Sequence, residues 1–169
     1  MPRAACKRAS PSSNWKTDVL FLLFKLGNDR YALDVSRVVE VIPLVELKRL
    51  GGSPPGVAGI FNYRGQFVTA VDLCELISHR PAQNRLSTRI IVVRQPDGTA
   101  DSRLLGLIAE EATGTLRKER SDFVDPAATA VGVASTAPVL FDAEGAIHLL
   151  DETHLLSDSL RNQLAHVTD

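Results

Sequence analysis

The chain has few cysteines and few aromatic residues. Its 169 residues include two cysteines, one tryptophan and one methionine, and aromatic side chains make up 5% of the total. Cys6 and Cys74 lie far apart, whereas small disulfide scaffolds use cysteine densely and a structural zinc site needs four ligands. The cysteine content therefore argues against both kinds of domain and favours a reduced, cytoplasmic setting.

The chain also lacks an excess charge of one sign and a long apolar run. Its formal net charge is -1, so it has no global field to attract nucleic acid or an anionic membrane. The strongest apolar run, Val19–Phe24, is far too short to cross a bilayer. No apolar stretch follows the basic residues Lys7 and Arg8 closely enough to form a signal peptide. We predict a soluble protein that neither inserts into membranes nor binds nucleic acid.

Sequence patterns of catalysis are missing as well. The chain contains no phosphate-binding loop, dinucleotide fingerprint, nucleophile elbow or His-Glu-x-x-His motif. Its histidines lack the i, i+4 spacing of helical metal ligands. The adjacent carboxylates Glu110-Glu111 would point to opposite faces of a strand, and we interpret them as capping or surface charges. We therefore predict no catalytic residue, no metal and no cofactor.

What the chain does contain is a series of short apolar or alternating segments separated by turn residues. Segments of this kind, rich in β-branched residues and bounded by Gly, Pro, Asn or Asp, are typical of strands joined by hairpins. Turn clusters occur at Gly27-Asn28-Asp29, Arg64-Gly65, Pro96-Asp97-Gly98 and Asp142–Gly145. We predict strands over Val19–Leu26, Arg30–Val35, Arg37–Ile42, Val57–Tyr63, Gln66–Asp72, Arg89–Arg94, Arg103–Ala109, Pro138–Phe141 and Ala146–Leu150, with Thr113–Leu116 as a further candidate.

Two segments have the pattern of helices. Leu73–His79 is short and ends before Pro81, which cannot continue a helix. Asp151–His166 is amphipathic, with leucines recurring on one side. An aspartate, Asp72 or Asp151, stands at the start of each segment, where an N-cap is expected. The succession of strand, aspartate and helix thus occurs twice, and this weak internal repeat favours a fold of two lobes.

Two further segments are predicted to be irregular. Residues 1–16 are rich in Ser, Pro, Ala and basic residues, so we predict a disordered N-terminal tail. The polar segment 80–87 is interpreted as a connection between the lobes. No aromatic residue lies among Arg80, Arg85 and Arg89, so we interpret these arginines as solvated linker charges and not as a nucleic-acid patch.

The order of these elements predicts a mostly β fold. Many short strands joined by hairpins are typical of small barrels and not of a parallel sheet with crossover helices. A chain of 169 residues can form one sizeable domain or two small lobes that share a core. We place the division between two lobes near residues 78–88.

One pair of charged residues has an unusual setting. Glu40 lies within Val38–Ile42, and Arg64 follows the apolar segment Gly59–Tyr63. Removing a lone charge from water is costly, so each is expected to have an oppositely charged partner, and arginine favours a two-point contact with a carboxylate. We predict that Glu40 pairs with Arg64 and fixes the register between their strands. The alternative is that the pair marks the rim of a groove that binds a partner protein.

The same region resembles the CheW-like family, the coupling proteins of bacterial chemosensory arrays. Four stretches match in order: an opening hairpin, a Val-x-Glu-Val strand, a Pro-containing loop leading into Gly-hydrophobic-x-Asn-hydrophobic-Arg-Gly, and a strand followed by an Asp-Leu helix. The resemblance runs from about Phe21 to Leu156 and is strongest before His79. The four stretches are Phe24–Leu33, Arg37–Ile42, Ser53–Gly65 and Gln66–Leu76.

This resemblance implies a fold of two intertwined, SH3-like β-barrels of about five strands each. A short helix would follow the first barrel and another would close the chain. The domain would span residues 17–157, and residues 158–169 would form the end of the last helix or a tail. Two departures, Thr69-Ala70 in place of a Pro-hydrophobic pair and Ala109-Glu110 in place of Val-Asp, indicate a divergent member, for example from a surface-sensing or biofilm pathway.

The resemblance also implies partners. A non-catalytic adaptor of this family would couple methyl-accepting chemoreceptors to a CheA-type histidine kinase, in the cytoplasm and at the membrane through receptor arrays. One surface would dock the regulatory domain of the kinase, with ring assembly alongside it, and a groove near the first lobe would receive the receptor's cytoplasmic tip. The alternative is an array-modulating protein that binds receptor or kinase without supporting kinase activation. The partner-binding residues carried over are Val38, Glu40, Ile42, Val57, Gly59, Asn62 and Arg64.

Overall fold

The computed structural model of the chain describes residues 18–95, 103–125 and 137–151. Strands account for most of these residues, which confirms the predicted mostly β fold. One α-helix, α1 (Leu73–Ser78), and two short 3-10 turns, Val35–Arg37 and Arg120–Asp122, accompany them. The strands are β1 (Val19–Leu26), β2 (Asp29–Asp34), β3 (Val38–Pro43), β4 (Val57–Tyr63), β5 (Gln66–Asp72), β6 (Arg89–Arg94), β7 (Leu104–Lys118), β8 (Val139–Asp142) and β9 (Gly145–Leu149).

The strands form two five-stranded sheets that share β7. The first sheet has the order β3-β6-β7-β5-β4, and the second has the order β7-β1-β2-β9-β8. Two pairs, β5 with β7 and β2 with β9, are parallel, and the other pairs are antiparallel. Five strands per lobe agree with the prediction. Among the described residues, neither set of ladders closes on itself into a complete barrel.

Each sheet draws strands from both sides of residues 78–88. The first sheet joins β3, β4 and β5 to β6 and β7, and the second joins β1 and β2 to β7, β8 and β9. The lobes are therefore intertwined, and residues 78–88 connect two parts of the first sheet. The predicted bounds of the tail, the domain and the C-terminal segment stay predictions, because residues 1–17 and 152–169 lie outside the described part of the chain.

Strand β7 is longer than predicted. Arg103–Ala109 and Thr113–Leu116 were expected as separate strands, but the backbone continues from Leu104 to Lys118. Leu23 pairs with Gly114 and Lys25 pairs with Glu110, so β7 carries extra residues opposite β1. Such a bulge bends a strand without ending its pairing. The bulge lies where β7 passes from the first sheet to the second, and it includes Glu111 with a φ of 46°.

Helix α1 matches its predicted position, and its cap explains why it begins there. The Asp72 side chain accepts hydrogen bonds from the backbone N–H groups of Cys74 and Glu75, at 2.9 and 3.2 Å. This is the predicted N-cap. The helix ends at Ser78, and His79 adopts a left-handed conformation with a φ of 54°. The second predicted helix, Asp151–His166, lies outside the described residues except for Asp151. No helix in the described ranges is long and apolar enough to span a membrane.

The segment between α1 and β6 is more ordered than predicted. Arg80 forms an ion pair with Glu110, and Thr88 is buried. The interpretation of Arg80 as a solvated linker charge is therefore wrong. The interpretation of Glu110 as a surface or capping charge is also wrong, because its exposed fraction is only 8%. Both errors arose because the pair joins residues thirty positions apart, which no local pattern indicates.

The apolar core has three parts. The core of the first sheet is built around Phe61, Tyr63 and Ile90, and the core of the second sheet around Phe21 and Ile147. The third and largest part lies between the sheets and combines side chains from both. The fully buried members of this between-sheet core include Leu26, Leu33, Val71, Leu73, Cys74, Ile91, Leu105 and Leu107.

Candidate partner-binding site

Glu40 meets Arg64 across the two edges of the first sheet. Strands β3 and β4 lie at opposite ends of the strand order, yet the Arg64 Nη2 atom lies 2.8 Å from the Glu40 Oε2 atom. The Tyr63 hydroxyl donates a hydrogen bond of 2.5 Å to the same oxygen. The predicted pairing of Glu40 with Arg64 is confirmed. The three side chains bring the free edges of the sheet together at what we term the seam.

Two details of the prediction are wrong. The pair cannot fix a strand register, because β3 pairs with β6 and β4 pairs with β5, not with each other. The pair is also not sequestered, since the Arg64 side chain is 74% exposed and the Glu40 side chain 38% exposed. Only one nitrogen of Arg64 bonds to Glu40, so the expected two-point contact does not form here.

The seam has a distinct electrostatic character. The hydrogen bond from Tyr63, assisted by the charge of Arg64, lowers the pKa of the Glu40 carboxyl below its usual value. The same hydrogen bond raises the pKa of the Tyr63 hydroxyl. The Arg64 guanidinium also lies 5.3 Å from the centre of the Tyr63 ring, a cation–π distance. Glu40 is therefore held ionised, and Arg64 is positioned by two neighbours while most of its surface faces solvent.

The hairpin turn between β4 and β5 places Arg64. Arg64 and Gly65 have φ values of 51° and 86°, the positive pair that a type I′ hairpin turn requires. The Asn62 side chain accepts a 2.8 Å hydrogen bond from the Gly65 N–H, which closes the turn. Asn62 thus supports the turn, and its side chain is exposed beside Arg64.

A bulge in β3 separates Val38 from Glu40. Val38 pairs with Val93, but Glu40 pairs with Val92, so one residue is extra on β3. Residues opposite each other in a sheet share a face. Val38 therefore packs with Val93 against the between-sheet core, whereas Ile42 packs against the core of the first sheet. The bulge thus places Val38 and Ile42 against different parts of the core.

Val57 and Gly59 on β4 are positioned by the preceding loop. Val57 is half-buried against the between-sheet core. Gly59 has a φ of 150°, and a Cβ atom there would lie 2.6 Å from the Lys48 carbonyl oxygen, which is shorter than any real contact. Lys48 and Ile60 exchange backbone hydrogen bonds at this point. The backbone of the loop after β3 thus lies too close to Gly59 to leave room for a side chain.

A partly open pocket of about 630 Å³ lies beside this loop. Of the predicted residues only Val57 lines it, and the Glu40–Arg64 pair does not. Its apolar wall is formed mainly by the loop after β3, and Asp72 and Glu75 add negative charge. The pocket is lined by Leu44, Val45, Glu46, Leu47, Arg49, Leu50, Ser53, Val57, Ala58, Asp72, Glu75, Pro81, Ala82, Asn84 and Ile108.

Comparison with known families decides the identity of the fold. The profile of the CheW-like domain matches residues 20–160, which is most of the sequence. The chain belongs to the CheW-like domain family. The predicted resemblance is therefore confirmed.

Individual relatives and a solved structure agree with this assignment. The chemotaxis protein CheW of Helicobacter pylori is 26% identical over 106 residues, covering 63% of this chain and 61% of the relative. The chemotaxis protein CheW of Klebsiella aerogenes is 26% identical over 96 residues, which cover 57% of this chain and 55% of the relative. The match thus spans less than two thirds of either relative. Protein FrzA of Myxococcus xanthus is 25% identical over 166 residues, which cover 96% of this chain and 97% of the relative.

The solved structure shows the fold. The scaffolding protein TtCheW from Thermoanaerobacter tengcongensis superposes with a TM-score of 0.71 and 16% sequence identity. The superposition covers 94% of this chain and 96% of that protein. The predicted architecture of two SH3-like lobes is confirmed, and the ladders of the described residues leave each barrel incompletely closed.

Two residues of the site in this CheW-like chain were not identified from the sequence. Tyr63 makes a shorter hydrogen bond to Glu40 than Arg64 does, yet it was interpreted only as part of an apolar segment. Phe67 lies opposite Asn62 on β5 and is 64% exposed. The available signal was the position of Phe67 at the start of β5, next to the turn, where Gln66 and Phe67 are exposed, whereas all residues of Val68–Asp72 are buried.

Proposed function

We propose that this protein is a non-catalytic adaptor that couples methyl-accepting chemoreceptors to a CheA-type histidine kinase in a chemotaxis array. Membership of the CheW-like family supports the proposal, as do relatives named chemotaxis protein CheW. We further propose that the protein acts in the cytoplasm and reaches the membrane through the receptors.

The observation that carries this proposal is the presence of two sheets, each with its own exposed aromatic residue. Phe67 on the first sheet is 64% exposed, and Phe141 on the second is 66% exposed. Large exposed aromatic side chains are typical anchors of protein interfaces. A protein with anchors on two sheets can bind two partners at once, which is what coupling requires.

The seam is the proposed receptor-binding surface. Glu40, Asn62 and Arg64 are accessible there and can contact a partner directly. An amphipathic helix fits a surface that combines fixed charges with exposed apolar groups, here Val39 and Phe67. The remaining carried-over residues are half-buried or buried, and we propose that they support the seam. They are Val38, Ile42, Val57 and Gly59.

The second sheet is the proposed kinase-binding surface. Phe141 lies on the edge strand β8, whose one described ladder is with β9. Exposed edge strands and their apolar side chains suit docking of another small barrel. The two surfaces would each be modest, and affinity would come from many such contacts in an assembled array or ring.

Reconstitution tests the proposal. The purified protein, a full-length histidine kinase from the same organism and a receptor cytoplasmic fragment are mixed with ATP and sedimented, and kinase autophosphorylation is measured. The proposal expects a ternary complex and at least a tenfold rise in kinase activity over the mixture lacking this protein. Binding to neither partner would refute it. Binding without activation would select the array-modulating alternative.

A further inference from the structure

The carboxylate of Glu110 is surrounded by hydrogen-bond donors. Its Oε1 atom accepts from Arg80 Nη1 at 3.0 Å and from the Gln83 N–H at 2.8 Å. Its Oε2 atom accepts from Arg80 Nη2 at 3.0 Å and from the Gly27 N–H at 3.2 Å. Four donors to one carboxylate, two of them from a charged guanidinium, form a strong and directional contact. We call this group of residues the Glu110 clamp.

The donors of the clamp come from different parts of the fold. Gly27 lies in the turn between β1 and β2 of the second sheet. Arg80 and Gln83 lie in the segment that joins α1 to β6 of the first sheet. Glu110 itself lies on β7 at the bulge where this strand passes from one sheet to the other. The clamp therefore joins both sheets at the point where they share a strand.

The segment that carries Arg80 is held in place from its other side as well. The Ala82 N–H donates a 2.8 Å hydrogen bond to Asp72 Oδ2, at the end of β5. Asp72 and Glu110 are both buried and belong to neighbouring strands of the first sheet. Arg80 is thus presented to Glu110 by a segment whose backbone bonds to two carboxylates.

Apart from the ladders on the shared strand β7 and the Lys25–Glu111 ion pair, most of the remaining contact between the sheets is apolar and has little directional character. The between-sheet core consists of aliphatic and aromatic side chains, and apolar burial depends on area and not on direction. The bulge in β7 also allows that strand to bend. An apolar layer and a bent strand hold two sheets together but permit small rotations between them. Hydrogen bonds of fixed geometry limit such rotations.

We propose that the Glu110 clamp fixes the relative arrangement of the two sheets, with Glu110 and Arg80 as positioning residues. The clamp is a conformational device of the folded chain and does not depend on the proposed function. If the proposed function also holds, the clamp sets the spacing between the receptor-binding and kinase-binding surfaces.

The test compares two isosteric substitutions at neighbouring positions. Glu110→Gln removes the charge and places an amide donor against the donors of the clamp. Glu111→Gln is the matched control, because Glu111 lies on the same strand and pairs with Lys25 at the surface, where the two side chains are 41% and 44% exposed. The full-length chain is used in both cases.

Spin labels on the two sheets report the arrangement. Cysteines replace the exposed residues Gln66 and Arg117, and Cys6 is replaced by serine, while the buried Cys74 stays in place. The distance distribution is measured by double electron–electron resonance. We expect one narrow distribution for the unsubstituted protein and for Glu111→Gln. For Glu110→Gln we expect a distribution at least twice as broad, with an unchanged circular dichroism spectrum.

A distribution for Glu110→Gln that matches Glu111→Gln would overturn the proposal. If Glu110→Gln does not fold, Arg80→Gln replaces it, since this variant keeps Glu110 and the N–H donors of Gly27 and Gln83. Arg80→Gln is expected to broaden the distribution in the same way, and an unbroadened distribution would equally overturn the proposal. The measurement needs neither receptor nor kinase, so its failure would leave the proposed function untouched.

Discussion

Arg80 binds Glu110 through two parallel hydrogen bonds, one from each terminal nitrogen to each carboxylate oxygen, both 3.0 Å long. This is the two-point geometry that sequence reasoning expected of Arg64 and Glu40. The difference follows from burial. Glu110 is buried and needs every acceptor position filled, whereas the exposed carboxylate of Glu40 is also solvated by water.

The first prediction concerns acid stability. Hydrogen bonds from Arg80 lower the pKa of Glu110 from 4.5 to about 2. Since the pKa is lower in the folded state, the stabilisation is fully present above about pH 4.5 and is lost as the pH falls towards 2. We expect the free energy of unfolding of wild type to exceed that of Glu110→Gln by up to about 3 kcal/mol at pH 6. This difference should narrow markedly by pH 3. Urea unfolding at both pH values measures it.

The control for this prediction is Glu111→Gln. Its exposed ion pair with Lys25 contributes little to stability. We expect its unfolding free energy to follow that of wild type at both pH values. If the unfolding free energies of wild type and Glu110→Gln differ by the same amount at pH 6 and at pH 3, the assigned role of the ionised carboxylate is wrong.

The second prediction concerns Arg64. Because its side chain is 74% exposed, Arg64→Ala should leave the melting temperature within about 3 °C of wild type. The same change should weaken binding of a receptor cytoplasmic fragment at least tenfold, since a fixed charge of the seam is lost. Arg117→Ala, an exposed arginine on the second sheet, is the matched control. Full-strength receptor binding by folded Arg64→Ala would exclude the seam as the receptor surface.

The third prediction concerns Gly59. A methyl group there would lie 2.6 Å from the Lys48 carbonyl oxygen, and the φ of 150° is unfavourable for any side chain. We expect Gly59→Ala to lower the free energy of unfolding by about 2–3 kcal/mol. Gly51→Ala is the control, because apart from its chain neighbours no atom lies within 4 Å of the place its methyl group would take. If the two variants have equal free energies of unfolding in urea, the loop after β3 can move to accommodate the methyl group without a loss of stability.

The fourth prediction separates the two partner surfaces. Phe67 and Phe141 lie on different sheets and are both largely exposed, so replacing either with serine should not unfold the protein. We expect Phe67→Ser to weaken receptor binding at least tenfold with kinase binding within twofold. Phe141→Ser should weaken kinase binding at least tenfold and leave receptor binding within twofold. If either substitution weakens both interactions equally, the two surfaces are not independent.

The fifth prediction concerns Cys74. Burial, assisted by the nearby charge of Glu110, raises the pKa of this thiol to about 12. Because the thiolate is the reactive form, folded protein carrying Cys6→Ser should react with a thiol reagent at pH 8 at least a hundredfold more slowly than the urea-unfolded chain. Rapid labelling of the folded protein would show that the between-sheet core opens readily.

Local patterns predicted the hairpins well. Arg64-Gly65 and Gly27-Asn28-Asp29 contain residues suited to positive φ, so the turns and their flanking strands were correctly placed. The N-cap at Asp72 followed from the same local chemistry. The pairing of Glu40 with Arg64 was predicted because each charge lay among apolar residues and needed a partner.

The errors share a physical cause, which is that they depend on residues distant in sequence. The bulges at Val38 and Glu110 shift the alternation of β3 and β7, and a bulge is set by the neighbouring strand and not by the strand's own residues. Arg80 looked like a linker charge because its partner lies on another strand. Tyr63 was overlooked because its ring is buried while its hydroxyl reaches the seam.

Strand β7 has a consequence for how the chain acquires its structure. It supplies the middle strand of one sheet and an outer strand of the other, so a nascent chain cannot complete the first sheet before Ala109 has been synthesised, or the second before Leu149. Contacts between residues so far apart make folding slow relative to helical proteins of the same size. Both sheets should therefore melt together in a single transition, and neither should survive as a separate fragment.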